Sequence, residues 1–413
     1  MLPGLYDALW LGRLGAGAQA AAGLAVSVRI TMISVLMALS GASGAVVARY
    51  VGARDQRNAS LATLQAVILM ALSSGVLGAV GFLFAEPLMR LAGADATVLP
   101  LAVRYAHIIF AGLIALELVP SIGGMLSTAG APQIRLTMMV WVVATQLVVQ
   151  PVLTRRFGID GAAAAVVVAS AVGMLWGLGA LLRGRAAIRI DVHNLRIDLP
   201  MMGRIVRIAL PSVVQRGAPN LAMSLLMRLI ASQGSDILAV WVVSQRVLAV
   251  MLVPGMGVAG AASAMVGLNL GADQVRRAED AVRRISRVAL LISTALALVL
   301  GFTAPYVLGW FSLEPEALTS GVVMLRWLCL GYLLQTVTWV HQAAQTGAGD
   351  TLSPMIVNMI ALWLVQLPLV WILSRVLGLG SQSIWWGLVV GWAVQAALMV
   401  KRYRAARWQK KSL

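Results

Sequence analysis

The stretch Leu39–Ala59, LSGASGAVVARYVGARDQRNA, returns later in the chain as Val258–Ala278, VAGAASAMVGLNLGADQVRRA. Identities fall at Gly41/Gly260, Ala42/Ala261, Ala45/Ala264, Val47/Val266, Gly52/Gly271, Ala53/Ala272, Arg57/Arg276 and Ala59/Ala278, each pair 219 residues apart. The same separation joins Gly15 to Gly234, Ala20 to Ala239, and Ala129-Gly130 to Ala348-Gly349. One offset held over so long a distance marks a duplicated chain of two similar halves.

Composition places those halves in a bilayer. Of 413 residues, 60% are hydrophobic and 11% charged, with a mean hydropathy of +0.88. A soluble domain carries about 25% charged residues. Apolar runs such as Leu61–Phe84, Val288–Trp310 and Ile384–Val400 are long enough for membrane-crossing helices, which need about 20 residues. The net charge of +17 does not point to nucleic acid, because the basic residues sit in alternate connectors between apolar spans.

Read in order, the spans run Met1–Leu14, Ala20–Val47, Leu61–Leu88, Leu101–Ser127, Leu136–Leu153 and Ala162–Leu182. Those of the second half are Ile205–Ile230, Leu238–Val266, Val288–Trp310, Gly321–Gln345, Ile356–Leu373 and Ile384–Val400. The expected fold is an all-α integral membrane protein of about twelve transmembrane helices in two six-helix lobes related by internal duplication. Residues 1–182 form the first lobe, 183–204 a cytoplasmic linker, 205–400 the second lobe and 401–413 a basic tail. The repeats are parallel, because six helices per lobe return the chain to the same side.

Arginine crowds Ala48–Ser60, Arg183–Arg204, Gly271–Arg287 and the tail Lys401–Lys411, which puts both termini in the cytoplasm by the positive-inside rule. Arg155-Arg156 and Arg375 run against that pattern. The tail is expected to meet anionic headgroups of membrane lipids. Met1–Leu14 would span only about 21 Å as helix, short of a ~30 Å hydrocarbon core. Its partner in the second half reaches back past Pro211, so the first helix is expected to lack its front half, through a misassigned start or a truncation.

No enzyme chemistry stands out. Three scattered histidines have no metal-ligand spacing, and no phosphate-cradling glycine loop, Ser/His/Asp set or catalytic carboxylate pair is found. No cofactor, metal or nucleic-acid partner is expected. The single cysteine, Cys329, reads as a small packing residue.

Asp7-Ala-Leu-Trp-Leu-Gly-Arg-Leu-Gly15 resembles the end of the first helix in multidrug and toxic compound extrusion (MATE) transporters, whose pattern there is Asp-x4-Gly-Arg-Leu-Gly. Gly52-Ala53 with Arg57, Gly161 to Ala165, and Gly349-Asp350-Thr351 followed by Pro354 are similar to that family's loop after helix 2, start of helix 6 and entry to helix 11. The resemblance implies a central cleft that opens to alternate sides and export driven by H⁺ or Na⁺.

Ionisable groups at bilayer depth are costly, so each is a candidate for function. Asp7 stands where the resemblance puts a coupling carboxylate, able to take a proton on one side and release it on the other. Glu117 is a second candidate for ion or proton coupling, or an acid paired to a local arginine near Pro120. Gln146 and Gln150, four apart and on one helix face, precede Pro151 where the proton-coupled branch has Asn-x3-Asp-Pro. Gln150 hydrogen-bonds but does not titrate, which leaves a two-carboxylate relay in doubt.

Arg216, five residues after Pro211, either faces the cleft or snorkels to the cytoplasmic surface. Arg29 and Arg246 read as interfacial. Tyr332, Gln335 and Trp339 are candidate cleft residues, the aromatics able to stack on an organic cation. The acids of the second half fall at helix ends, which disfavours Na⁺ coupling there. The expected activity is a proton-coupled secondary antiporter, acting as a monomer in the cell membrane on small amphipathic cations. The alternatives are a flippase-like exporter of a lipid-linked or anionic substrate, and a truncated non-transporting membrane protein.

Overall fold

The computed structural model describes residues 2–184, 188, 197–231, 233, 235–310, 315–405 and 408, and among them there is helix and connector but no strand. The chain divides into two compact units, Met1–Ala209 and Leu210–Leu413. The first unit runs through α1 (Leu2–Arg13), α2 (Ala16–Met32), α3 (Ser34–Gly52), α4 (Gln56–Leu83), α5 (Ala85–Leu91), α6 (Leu99–Ala111), α7 (Leu113–Thr128) and α8 (Pro132–Leu182). Helix α9 (Leu199–Ala231) carries the boundary. The second unit continues with α10 (Ser235–Gly271), α11 (Val275–Gly309), α12 (Pro315–Gly347), α13 (Leu352–Met359), a π-helical stretch Ile360–Gln366, α14 (Leu367–Arg375) and α15 (Gln382–Arg404).

Several expected single spans are bent or broken. The second span divides at Ile33 into α2 and α3, and the third at Phe84 into α4 and α5. The fourth bends by 51° at Gly112, between α6 and α7. A Cβ on Gly112 would stand 2.4 Å from the Val167 side chain, so the bend sits where α8 presses close. At 51 residues α8 would measure about 76 Å if straight, far more than a bilayer core. It breaks instead at Gly158, where φ 59 and ψ −130 suit only glycine, giving one arm for each of two expected spans. Among the described residues, seven helices are long and apolar enough to cross a membrane, or nine with the two bent pairs counted as spans.

The duplication is written into the backbone. The two non-glycine residues with left-handed φ, Arg54 (57°) and Asp273 (56°), are 219 apart, as are Gly130 and Gly349, both at 82°. Helices α4 and α11 start at Gln56 and Val275, and α7 and α12 end at Thr128 and Gly347, again 219 apart. Each unit also inverts the soluble-protein pattern. Leu72, Val76, Leu83, Val148 and Leu175 are exposed, whereas Gln65, Ser121, Gln146 and Gln150 are buried. Apolar surface outside and polar groups gathered inside is what lipid as solvent demands. In the second unit Leu248, Leu308, Leu325, Leu328, Trp385 and Leu388 form the main core, with Cys329 buried among them.

Candidate functional site

Pro151 starts the site. A proline inside a helix has no N–H to offer the carbonyl four residues back, so α8 leaves the Leu147 oxygen unpaired. The Tyr6 hydroxyl of α1 donates to that oxygen at 3.3 Å. Trp10, one helical turn on, lies under the Arg13 and Arg155 guanidiniums at 4.7 and 5.6 Å. These contacts seat α1 on α8 and bring Asp7 to the face of α8 that carries the two glutamines.

There Gln150 Nε2 donates to Asp7 Oδ1 at 2.5 Å, and Gln146 Nε2 donates to Gln150 Oε1 at 2.7 Å. From α6, the Tyr105 hydroxyl donates to Asp7 Oδ2 at 3.3 Å. Gln146, Gln150 and Tyr105 are all buried, and Asp7 is half-buried. Asp7 is thus held by neutral donors, and forms no ion pair among the described residues.

Glu117, buried in α7, is held differently. Arg29, in the last turn of α2, donates to it at 2.8 Å as a salt bridge, with 23% of the arginine side chain and 6% of the glutamate side chain exposed. The pair ties together helices that lie next to two irregularities, the Ile33 break and the Gly112 bend.

The second unit does not repeat these charges at the matching positions, although Asp350, buried beyond the end of α12, accepts from the Ser353 N–H at the start of α13. The positions 219 after Asp7, Tyr105, Gln146 and Gln150 are Leu226, Met324, Val365 and Leu369, and those after Arg29 and Glu117 are Leu248 and Thr336. Thr336 makes a 2.8 Å hydroxyl–hydroxyl hydrogen bond with Ser293. Polar contact among α12, α13 and α15 is carried by neutral amides. Gln335 Nε2 donates to Gln395 Oε1 at 3.1 Å, Gln395 Nε2 to Asn358 Oδ1 at 2.8 Å, and Asn358 Nδ2 to Gln342 Oε1 at 3.4 Å. Tyr332 stands edge-on to both Trp339 and Trp392, with ring centroids 5.9 and 5.8 Å away.

Of the sequence candidates, the first unit brings Asp7, Gln146 and Gln150 into one network and sets Glu117 against Arg29. Tyr332 and Trp339 make a ring pair in the second unit, and Gln335 heads the amide chain. Arg216 is helical within α9, and its side chain lies outside the described residues. Sequence reading missed Tyr105 and set Arg29 aside as interfacial. An arginine inside an apolar span was itself the available signal, since such a residue needs an acid nearby.

Comparison with known proteins agrees with this architecture. The MatE family model matches residues 2–152 and 211–372, one block in each half of the duplication. The probable multidrug resistance protein YpnP of Bacillus subtilis (strain 168) is 25% identical over 98% of this chain and 91% of its own length. The multidrug resistance protein NorM of Burkholderia vietnamiensis is 26% identical over 98% of this chain and 89% of its own length. The crystal structure of MATE in the bent conformation superposes with a TM-score of 0.89, at 24% identity, over 98% of this chain and 90% of that one. With its two repeats, its all-helical fold and a family match that covers most of its length, the chain belongs to the MatE family of multidrug efflux transporters.

Proposed function

We propose that the chain is a secondary antiporter that exports small amphipathic organic cations in exchange for protons, and that Asp7 is the proton site. The observation that carries this reading is the contrast between the two carboxylates of the first unit. Glu117 is neutralised by Arg29, so removing its charge strands a cation. Asp7 is held only by the neutral donors Gln150 and Tyr105. It can gain or lose a proton by rearranging hydrogen bonds, with no ion pair broken. The second-unit positions that match Asp7 and Glu117 are Leu226 and Thr336, and the amide and hydroxyl contacts around them carry no carboxylate, which favours H⁺ over Na⁺.

Tyr332 and Trp339 supply π faces for an organic cation, with Gln335 as a neutral polar neighbour. In this reading the transporter sits in the cell membrane as a monomer. Both termini and the 183–204 linker are cytoplasmic, as the arginine-rich connectors favour. The test is energised efflux of a fluorescent lipophilic cation from cells, comparing the native chain with Asp7→Asn inserted to the same level. The reading expects efflux that collapses both with a protonophore and in Asp7→Asn. Efflux that survives Asp7→Asn and requires Na⁺ would overturn the proton site. A well-inserted protein that moves no cation would shift the assignment to an anionic or lipid-linked substrate.

A further inference from the structure

The second unit contains a polar recess that transport as described above does not use. It lies between α11, α12 and α15, with a volume of about 540 Å³. Glu279, Arg283, Ser286, Arg287 and Leu290 face it from successive turns of α11, His341 from α12, and Tyr403 and Arg404 from α15. Three guanidiniums stand against one carboxylate. Among the described residues neither Arg287 nor Arg404 has an ion-pair partner, and Arg283 reaches Asp280 only at 3.9 Å.

Two further hydroxyls await a partner. Ser286 Oγ and Tyr403 Oη are buried with no hydrogen bond. Leaving a buried hydroxyl unsatisfied is costly, and both groups can donate to an anionic oxygen. The Tyr403 ring is fixed from two sides. Trp408 stacks on it at 5.0 Å and bonds its carbonyl through Nε1, and His341 stands edge-on at 4.9 Å.

The duplication supplies an internal control. Moving back 219 residues, Arg283, Ser286, Arg287 and His341 become Leu64, Val67, Ile68 and Ile122. Those four positions are therefore apolar in the first unit, while Arg404 matches Arg185, so packing alone does not call for Arg283, Ser286, Arg287 or His341. The recess also sits at a fixed level along its helices. On α11 the charged turns end at Arg287, and Val288, Leu291, Leu298 and Phe302 follow as exposed apolar residues. On α15 the apolar run ends at Val400 and Lys401-Arg402 begin.

We propose that this recess binds the phosphodiester headgroup of an anionic phospholipid, with its acyl chains laid along the exposed apolar face of α11. The arginines neutralise the phosphate, and the Ser286 and Tyr403 hydroxyls donate to its oxygens. Basic pockets between membrane helices at headgroup depth bind such lipids. A free phosphate would use the same donors and ignore the apolar face, which separates the two sources experimentally.

The test is native mass spectrometry of the full chain, delipidated in a neutral detergent and titrated with dioleoylphosphatidylglycerol, with dioleoylphosphatidylcholine as the neutral comparison. One phosphatidylglycerol should be retained in preference to phosphatidylcholine. Giving α11 its first-unit residues, Arg283→Leu/Ser286→Val/Arg287→Ile, should weaken that binding roughly thirtyfold, at about fivefold per guanidinium removed. Arg404→Gln, at an exposed helix end, should weaken it about fivefold and covers the case in which the triple variant fails to fold. Arg277→Leu, also on α11 but outside the recess, should bind as the native chain does. Phosphatidylglycerol held equally by the native chain and Arg404→Gln would overturn the site. So would equal weakening by Arg277→Leu, and full displacement of the lipid by equimolar inorganic phosphate would overturn the lipid assignment.

Discussion

The Arg29–Glu117 pair offers a quantitative test of how dry the first unit is. Breaking a fully buried ion pair costs about 3–5 kcal/mol, because the abandoned charge is left without solvent or partner. The two partners are not equally deep, with side-chain exposures of 23% for Arg29 and 6% for Glu117. Arg29→Gln abandons the deeper charge and should cost about 3 kcal/mol. Glu117→Gln abandons a guanidinium with a route to water and should cost less, about 1–2 kcal/mol, with the new amide still able to accept one hydrogen bond. Removing both charges abandons neither, and two facing amides can bond each other, so Arg29→Gln/Glu117→Gln should fall within about 1–2 kcal/mol of the native chain. The double variant is then more stable than Arg29→Gln, with a coupling of about 3 kcal/mol, a roughly hundredfold change in equilibrium constant. Reversible unfolding in mixed micelles, followed by tryptophan fluorescence, measures all four proteins. A coupling below about 0.5 kcal/mol would mean that water separates the two charges, and the pair would not be what fastens α2 to α7.

Two further outcomes follow from local geometry. Asp55 caps α4, accepting from the Asn58 backbone N–H at 3.0 Å and side chain at 2.6 Å, and these bonds hold its carboxyl below the usual carboxylate range. Because the folded value is depressed, the cap's contribution is complete above about pH 4 and is lost as pH falls through the folded value. Asp55→Ala should therefore lower stability by roughly 0.5–2 kcal/mol at neutral pH, a deficit that shrinks on acidification in thermal melts. In the second unit, a Cβ on Gly347 would lie 2.2 Å from the Ser263 carbonyl oxygen of α10. Gly347→Ala must push two backbones apart and should cost about 1–3 kcal/mol by the same unfolding assay. An unchanged melting curve would show that α10 and α12 are not held that close.

Much of this architecture was legible in the chain itself, because duplication needs no tertiary information. The 219-residue offset returns in the backbone, where the left-handed turns at Arg54 and Asp273 each follow one of the repeated Gly-Ala pairs. The Gln150–Asp7 contact was half legible. The resemblance put both residues at functional positions, and spacing put Gln146 on the same face as Gln150. What escaped was contact between distant segments. Tyr105 meets Asp7 across 98 residues and Glu117 meets Arg29 across 88, and no periodicity encodes either meeting. The break at Ile33 also left no trace, since no proline or glycine marks it. The amide chain from Gln335 to Gln342 was equally silent, because each member alone is an ordinary polar residue in an apolar helix.

The hydrogen bonds around Asp7 also give its carboxyl group two unequal sides. Gln146 donates to Gln150, and Gln150 donates to Oδ1, so every N–H along that chain points toward the carboxylate. An amide nitrogen has no lone pair to receive a proton in return. The Oδ1 lone pair that accepts from Gln150 stays engaged unless both glutamines turn over together. Oδ2 faces a hydroxyl, and a hydroxyl both gives and accepts by a rotation about one bond. The side of Asp7 whose partner can both give and take a proton is therefore the α6 side, beside Tyr105, and in the proposed exchange a proton would board and leave by that door.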